Sequence, residues 1–450
     1  MDYTKHLAQF AAQLQYSDLP TPVIEKAKEI ALHAWGVQLA GSTLPWSKAI
    51  YRYAQGQGGV PNSTVLNYGI KTSTVNAAFV NGTFGHGFEM DDNHAATGIK
   101  GGCVAVPAVL AIGEQQLSSG RDSILAIAAA YEVMTRISLS VQPDLLKGSH
   151  HPTGTCGPFG AAAAVGKLLH FDENKMLHAL SIAAGHSAGM TEAPAHGRGT
   201  LKRIFGGMAA SNGIRSALLA AEGLTGPASM LEGERGFCHG FSSSPKLAAL
   251  TAGLGTEWQI LGVHYKIYAQ DGYIQPMTEA LDRIVKHHKL KPEEVAEIRA
   301  GTNKHALDVI GLIREPNDLT SAQFSANYSL ALFLVKGNAG FQEYTEENLR
   351  APEIIELSKK IRAEVDEEME QEWQKTRPRG ARVTVRLTSG TTYTDCVHML
   401  RSMTAEDVNE KVRRLATVAV SAEQCERLIN TVRNLDAVRD ISSLVPLLTG

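Results

Sequence analysis

The segment Asn81-Gly-Thr-Phe-Gly-His-Gly-Phe-Glu-Met-Asp-Asp-Asn-His94 sets Glu89, Asp91, Asp92, Asn93 and His94 almost side by side. Two further patches, His150-His151-Pro152-Thr153 and Thr200-Leu-Lys-Arg203, add imidazoles and the cations Lys202 and Arg203. Acids, histidines and cations grouped in this way can exchange protons with a bound molecule and balance its charge, which is the equipment of an enzyme. All three patches fall in loops between small-residue helical runs, so their side chains can converge on a ligand instead of filling a core.

Other chemistries fit less well. Gly166-Lys167 lacks the glycine spacing and the following Ser or Thr of a phosphate-binding loop, and no G-x-G-x-x-G follows a strand. Gly185-His-Ser-Ala-Gly189 matches the bare pattern of a serine-nucleophile elbow, but Ser187 falls inside an expected helix rather than on a strand-to-helix turn. Glu89, Asp91, Asp92 and His94 are clustered, yet the adjacent His150 and His151 would point in different directions on a regular element, so no metal is expected.

The 43 basic and 46 acidic residues leave a net charge of −3 without a basic stripe. DNA, RNA and anionic membranes are therefore not expected as partners. The start, Met1-Asp-Tyr-Thr-Lys-His6, has no basic region followed by an apolar core, and no run reaches about 18 uncharged apolar residues. A cytoplasmic location is the expectation. Five cysteines at 103, 156, 238, 396 and 425 form no C-x-x-C pair, which argues against a disulfide framework or a zinc ribbon. The sequons at Asn62, Asn81 and Asn327 are then read as chance.

A chain of 450 residues exceeds what one hydrophobic core usually serves. Residues 1–265 read as helical, rich in Ala and Leu. Pro20 and Pro22 start an amphipathic helix that runs to Gly41-Ser42. Pro158–Leu169 and Glu173–Met190 read as two closely packed helices, with Gly160 and the alanines from Ala161 to Ala164 leaving room for a neighbouring backbone. Residues 266–400 read as a mixed α/β domain. Val295–Gly301 and Arg382–Leu387 alternate as strands, Thr388-Ser-Gly390 makes a turn before Thr391–Asp395, and helices are expected over Ser321–Lys336 and Ala351–Gln374. Residues 401–450 return to helices, with apolar faces through Val408, Val412, Leu415, Leu428, Val432 and Leu435 that rejoin the first domain.

The chain resembles the MmgE/PrpD family, which includes 2-methylcitrate dehydratases, cis-aconitate decarboxylases and iminodisuccinate epimerases. The resemblance spans essentially the whole sequence. It rests on Leu19-Pro20 to Ala40-Gly41, Asn81-Gly82 through Asp91-Asp92-Asn-His94, His151-Pro152-Thr153 with Gly157 to Ala163, Lys202, Gly206 to Gly213, and Lys266-Ile-Tyr268. It implies a mainly α fold: a large all-helical domain with a smaller α/β lid inserted before the C-terminal helices. It also implies a cofactor-independent homodimer whose site, between helical domain and lid, takes a small di- or tricarboxylate.

By motif position the resemblance makes His151, Lys202, Lys266, Tyr328 and His94 the candidates for catalysis, with His151 as acid or base. Glu89, Asp91, Asp92, Asn93, Lys100, Arg203, Tyr268 and Gln275 become candidates for substrate contact. Each has a plainer alternative. His151 can be bonded to backbone, Lys202 and Lys266 can be solvated, Tyr328 can pack in a core, and Asp91 and Asp92 can brace their loop. His94 can merely orient a neighbour, and His86, His186 and His196 read as structural.

Two departures from the family pattern stand out. Lys100 occupies the place of a histidine, which exchanges an acid/base group for a fixed cation unless burial lowers the lysine's pKa. Gly272 and Gln275 stand where the family often has Arg and His, and Asp271 adds a negative charge nearby. Losing an arginine fork suggests a substrate with fewer carboxylates than methylcitrate, or with a cationic group. The simplest expectation is dehydration of a 2-methylcitrate-like hydroxy acid. Decarboxylation of a cis-aconitate-like acid, epimerisation of an iminodisuccinate-like one, and an inactive carboxylate-binding homologue are the alternatives.

Overall fold

Apolar residues separate into two large clusters that divide the molecule. A computed structural model describes residues 2–192, 199–376 and 378–450. One cluster joins Leu7 through Tyr265 to Val408, Val412, Leu428, Val432, Leu435 and Ile441 of the tail. The other gathers Tyr268 through Val397, with Val37, Ala40, Leu44, Phe88, Met90 and Leu415 reaching across from the helical part. The fold is mainly helical, with a small mixed sheet in the C-terminal region.

The Thr21–Ser42 helix forms as expected, with Pro22 in its first turn where the missing N–H costs nothing. It is not amphipathic in its second half, because every residue from Ile30 to Ser42 is buried. The tail covers it: a Cβ added at Gly36 would meet Val412 at 3.0 Å. The Gly120–Val141 helix is long and apolar enough to cross a membrane, but 94% of its most apolar window is buried inside the protein. Its Glu132 and Arg136 pair at 3.1 Å.

Small residues set the helix spacing, but with other partners than the sequence suggests. Gly160 faces Met134 and Ala130 of the Gly120–Val141 helix. Ala161 meets Gly213 of the Phe205–Ala221 helix, where an added Cβ would sit 2.3 Å away. The observed Pro152–Leu168 helix is thus wedged between those two. The next helix, Glu173–Ala184, stops at Gly185. Ser187 therefore lies in the following loop and not within a helix.

Outside the lid, β1 (Ser63–Thr64) pairs with β2 (Lys71–Thr72), and β3 (Asp92–His94) with β4 (Val263–Tyr265). The lid sheet has the order β6-β5-β7-β8, from Ile361–Val365, Val295–Thr302, Ala381–Leu387 and Thr392–Val397. β5 runs parallel to β6 and antiparallel to β7, and β7 and β8 form the expected hairpin.

Two helical expectations fail in the lid. Ala351–Gln374 contains β6 between the Pro352–Ser358 and Glu367–Thr376 helices. Ile354, Leu357, Ile361 and Val365 recur at helical spacing, but the backbone of residues 361–365 completes the ladder to β5, which local periodicity does not report. Ser321–Lys336 is broken into Leu319–Gln323 and Ala326–Lys336. Ser325 caps the second helix, while Gln323 Nε2 donates to Phe88 O and Ala269 O, both at 2.8 Å, and so ties the break to the seam between the cores.

Candidate active site

The β3/β4 ribbon brings the first charges together. Asp92 pairs with Tyr265, and carrying the antiparallel register one residue on sets Asp91 across from Lys266, whose Nζ is 3.2 Å from Asp91 Oδ1. The same ammonium lies 2.5 Å from Glu89 Oε2. Lys202, on the Leu201–Ile204 turn, donates to Glu89 Oε1. All four side chains are buried. Glu89 has a φ of 55°, a left-handed backbone that costs an L-residue roughly 1–2 kcal/mol and persists only where surroundings over-determine it.

The histidines stand beside this cluster. His86, at the end of the Thr74–His86 helix, shares a proton with Asp91 through Nδ1 and Oδ2 at 2.6 Å. Its ring meets that of His151 edge to face, 5.4 Å between centroids. His151 precedes Pro152 at the start of a buried helix, and its main-chain N–H donates to Gly189 O at 2.7 Å. Among the described residues, neither His86 Nε2 nor His151 Nδ1 has a hydrogen-bond partner, although both are buried. Such orphaned nitrogens in a charged cluster are positioned to meet a ligand.

Burial governs the protonation states. It lowers His86 to about 3, helped by Lys202, and together with Lys100 pulls His151 well below the ordinary imidazole value. Burial opposes ionisation of Asp91, but Lys266, then His86 and Lys100, outweigh it and hold the carboxyl well below the usual range. Burial, then Lys266 and Arg203, pushes the Lys202 amine well down. Neutral imidazoles at His86 and His151 therefore stand beside the ionised Asp91 carboxylate.

Lys100 is the titratable group the sequence left conditional. Its main-chain N–H donates to Thr153 Oγ1 and its Nζ to Gly98 O at 2.8 Å. Burial, then Lys266, lowers its pKa to about 8. It is thus an acid/base group after all, protonated below about pH 8. A basic limb near pH 8 in kcat/KM is expected for the wild type and should move upward in Lys100→Arg, since guanidinium stays charged. An unmoved limb assigns it elsewhere, for instance to Lys411 at about 7. Because the folded pKa lies below the unfolded one, this lysine's contribution makes stability rise as pH increases from about 8 toward its unfolded value of 10.5.

The tail closes the floor. Lys411, on the Ala405–Ala416 helix, reaches His33 Nε2 at 2.8 Å and donates to Met90 O and Lys266 O at 2.7 Å each. It ties the main chain on both sides of the Glu89/Lys266 pair. His86, Asp91 and Cys103 also bring three potential ligand atoms within 4.8 Å of one another. The Lys266 ammonium beside Asp91 already occupies the cationic role there.

Residues 5–250 match the MmgE/PrpD N-terminal domain and residues 268–437 the MmgE/PrpD C-terminal domain. The chain belongs to the MmgE/PrpD family. It is 28% identical to the cis-aconitate decarboxylase-like protein oryM of Aspergillus oryzae, covering 99% of this chain and 97% of that protein. It is 28% identical to the cis-aconitate decarboxylase of Aspergillus terreus (99% and 95% covered) and 27% identical to that of Homo sapiens (99% and 94%).

Within this MmgE/PrpD chain, Glu89, Asp91, Lys100, His151, Lys202 and Lys266 converge, and several other candidates do not. Asp92 is a brace: Oδ1 accepts from Gly102 N at 2.9 Å and Oδ2 from Tyr131 Oη at 2.5 Å. His94 is held by Thr97 Oγ1 at 3.0 Å, and its ring lies against Gly262, which ties the ribbon rather than facing the cluster. Asn93 Nδ2 contacts His264 Nε2 at 3.2 Å, while its buried Oδ1 has no hydrogen-bond partner among the described residues.

Arg203 donates to Gly87 O and Thr320 Oγ1 and stacks 3.6 Å over Trp46, which uses its fork to clamp the two parts of the fold. Gln275 spends both amide atoms on the main chain of residues 267–270. Tyr268 packs on Phe333 in the lid core. Tyr328 also lies in that core, near Tyr344, and borders a separate lid cleft of about 850 Å³ with Arg314 and Arg362. A motif fixes position along the chain but not the direction of the side chain. His196 lies outside the described residues.

His86, Arg379 and Lys411 are the site neighbours that the sequence did not single out as functional. His86 lies five residues before its partner Asp91, across a helix end, where no periodic rule joins them. Arg379 and Lys411 arrive from distant segments.

Proposed function

We propose that this family lyase removes carbon dioxide from a cis-aconitate-like tricarboxylate, in place of the dehydration expected from sequence. The carrying observation is the buried arrangement of Lys202 and Lys266 on Glu89, beside His151, whose Nδ1 has no partner among the described residues. Full-length similarity to three cis-aconitate decarboxylases or decarboxylase-like proteins supports the same reading.

The chemistry asks for cations and one proton donor. In a propene tricarboxylate, the carbon–carbon bond to the carboxylate on the CH2 breaks and releases carbon dioxide. The electron pair spreads through the double bond to the far carbon, beside another carboxylate, and one proton there completes a 2-methylene dicarboxylate. Lysines in a buried cleft stabilise the spreading negative charge. Incoming carboxylates also favour the charged imidazole, so substrate binding raises the His151 pKa from its depressed resting value and turns the residue into an acid. Lys100, at about 8, is an adjacent ammonium from which the proton can be replaced.

Proton NMR in deuterium oxide with cis-aconitate, citrate and 2-methylcitrate tests the reading. Expected is a 2-methylene dicarboxylate carrying one deuterium, formed from cis-aconitate with release of carbon dioxide. Loss of water from 2-methylcitrate without decarboxylation of cis-aconitate would return the assignment to a dehydratase. Binding without conversion of any of these acids would favour an inactive homologue.

A further inference from the structure

Arg379 enters the cleft from the segment that leads into β7. Its Nη1 lies 2.3 Å from where a Cβ on Gly272 would sit, and its Nη2 lies 3.9 Å from the corresponding point on Gly98. The guanidinium thus fills the space over a glycine of the lid and comes near a loop of the helical part. Its Cζ stands 4.9 Å over the Tyr273 ring, a contact that orients the group. The charge lowers the pKa of both Lys100 and His264, so it is felt inside the site.

The other cations of the cleft have partners. Lys202 and Lys266 sit on Glu89, Lys100 donates to Gly98 O, Arg203 uses both terminal nitrogens on Gly87 and Thr320, and Lys411 donates to main-chain oxygens. Arg379 makes no ion pair with any described residue. A half-buried guanidinium with no carboxylate partner among the described residues, held over a glycine and close enough for its charge to act on Lys100, is suited to a bidentate grip on a ligand carboxylate.

We infer that Arg379 binds one carboxylate of the substrate and sets the preference for three carboxylates over two, with Gly272 kept small to admit the guanidinium. This rests on the carboxylate reading of the site. It supplies through space the arginine fork whose absence at position 272 had suggested a less highly charged substrate.

The test compares tricarballylate with glutarate, which is the same carbon chain without the central carboxylate, by titration calorimetry on the full chain. Arg379→Gln should weaken tricarballylate about tenfold or more, as expected for loss of a charge-assisted pair, and change glutarate less than about twofold. Arg379→Lys should fall between, having charge without a fork. Gly272→Ala, which evicts the guanidinium but keeps it in the chain, should reproduce the Arg379→Gln pattern.

Equal weakening of both ligands, or no change in either, overturns the inference while leaving the carboxylate site intact. Failure of the wild type to bind either acid overturns both. Selective weakening in a protein that binds but converts no tricarboxylate would sustain the role of Arg379 and sink the decarboxylase reading alone.

Discussion

Replacing His151 by Gln should lower the turnover of cis-aconitate by about 10²–10⁴-fold, the usual range for removing a positioned acid, while leaving the affinity for tricarballylate nearly unchanged. The imidazole is buried, its Nδ1 lacks a partner among the described residues, and its ring is held between His86 and Phe205, each 5.4 Å away between centroids. Gln fills a similar volume and can hydrogen-bond, but it carries no exchangeable proton at useful pKa. A kcat loss without a matching Kd change is the signature of an interaction made only along the reaction path. If kcat falls less than about threefold, too little for an acid removed from the reacting carbon, the proton comes from another group, and Lys100 becomes the first candidate.

The second large effect concerns stability. Glu89→Gln removes the carboxylate shared by two buried ammonium groups, leaving Asp91 as the remaining acid beside Lys266. Breaking a buried ion pair from one side costs about 3–5 kcal/mol, since the orphaned charge stays desolvated. Chemical denaturation should show a loss of that order, and Glu89→Gln combined with Lys202→Met should recover much of it. Tricarballylate should raise the melting temperature of Glu89→Gln by more than that of wild type, because a ligand carboxylate can take the vacant place on the lysines. A variant that melts with the wild type would mean that the lysines give up their protons instead of remaining as unpaired ammonium groups.

Much of the fold was legible from local pattern. The helix at Thr21–Ser42, the β7/β8 hairpin and the apolar tail faces follow from rules acting over a few residues, such as proline at a helix start, alternation, and glycine in a turn, whereas the helix expected from Pro158 begins six residues earlier at Pro152. β6 escaped because an edge strand of five residues can carry apolar positions at helical spacing, and what makes it a strand is β5 alongside it. Sequence also marked the chemistry-bearing loop, since acids and histidines packed into so few positions are poor core formers.

Side-chain direction is what the sequence alone could not supply. Tyr268, Gln275 and Tyr328 sit where family motifs place them along the chain, yet the two tyrosine rings pack in the lid core and a loop clamp claims the Gln275 amide. His86 reads as a helix-end histidine until the turn to Asp91 brings Nδ1 within 2.6 Å of a carboxylate. Lys411 is 145 residues from the carbonyl of Lys266 that it holds, and Arg379 fills the space over Gly272 from a different segment of the lid. Residue types and short-range pattern determined which groups were available and which elements carried them. Only the packing of the lid and tail onto the helical body decided which groups face one another, because burial, pKa and ion pairing depend on distances between segments that no local rule joins.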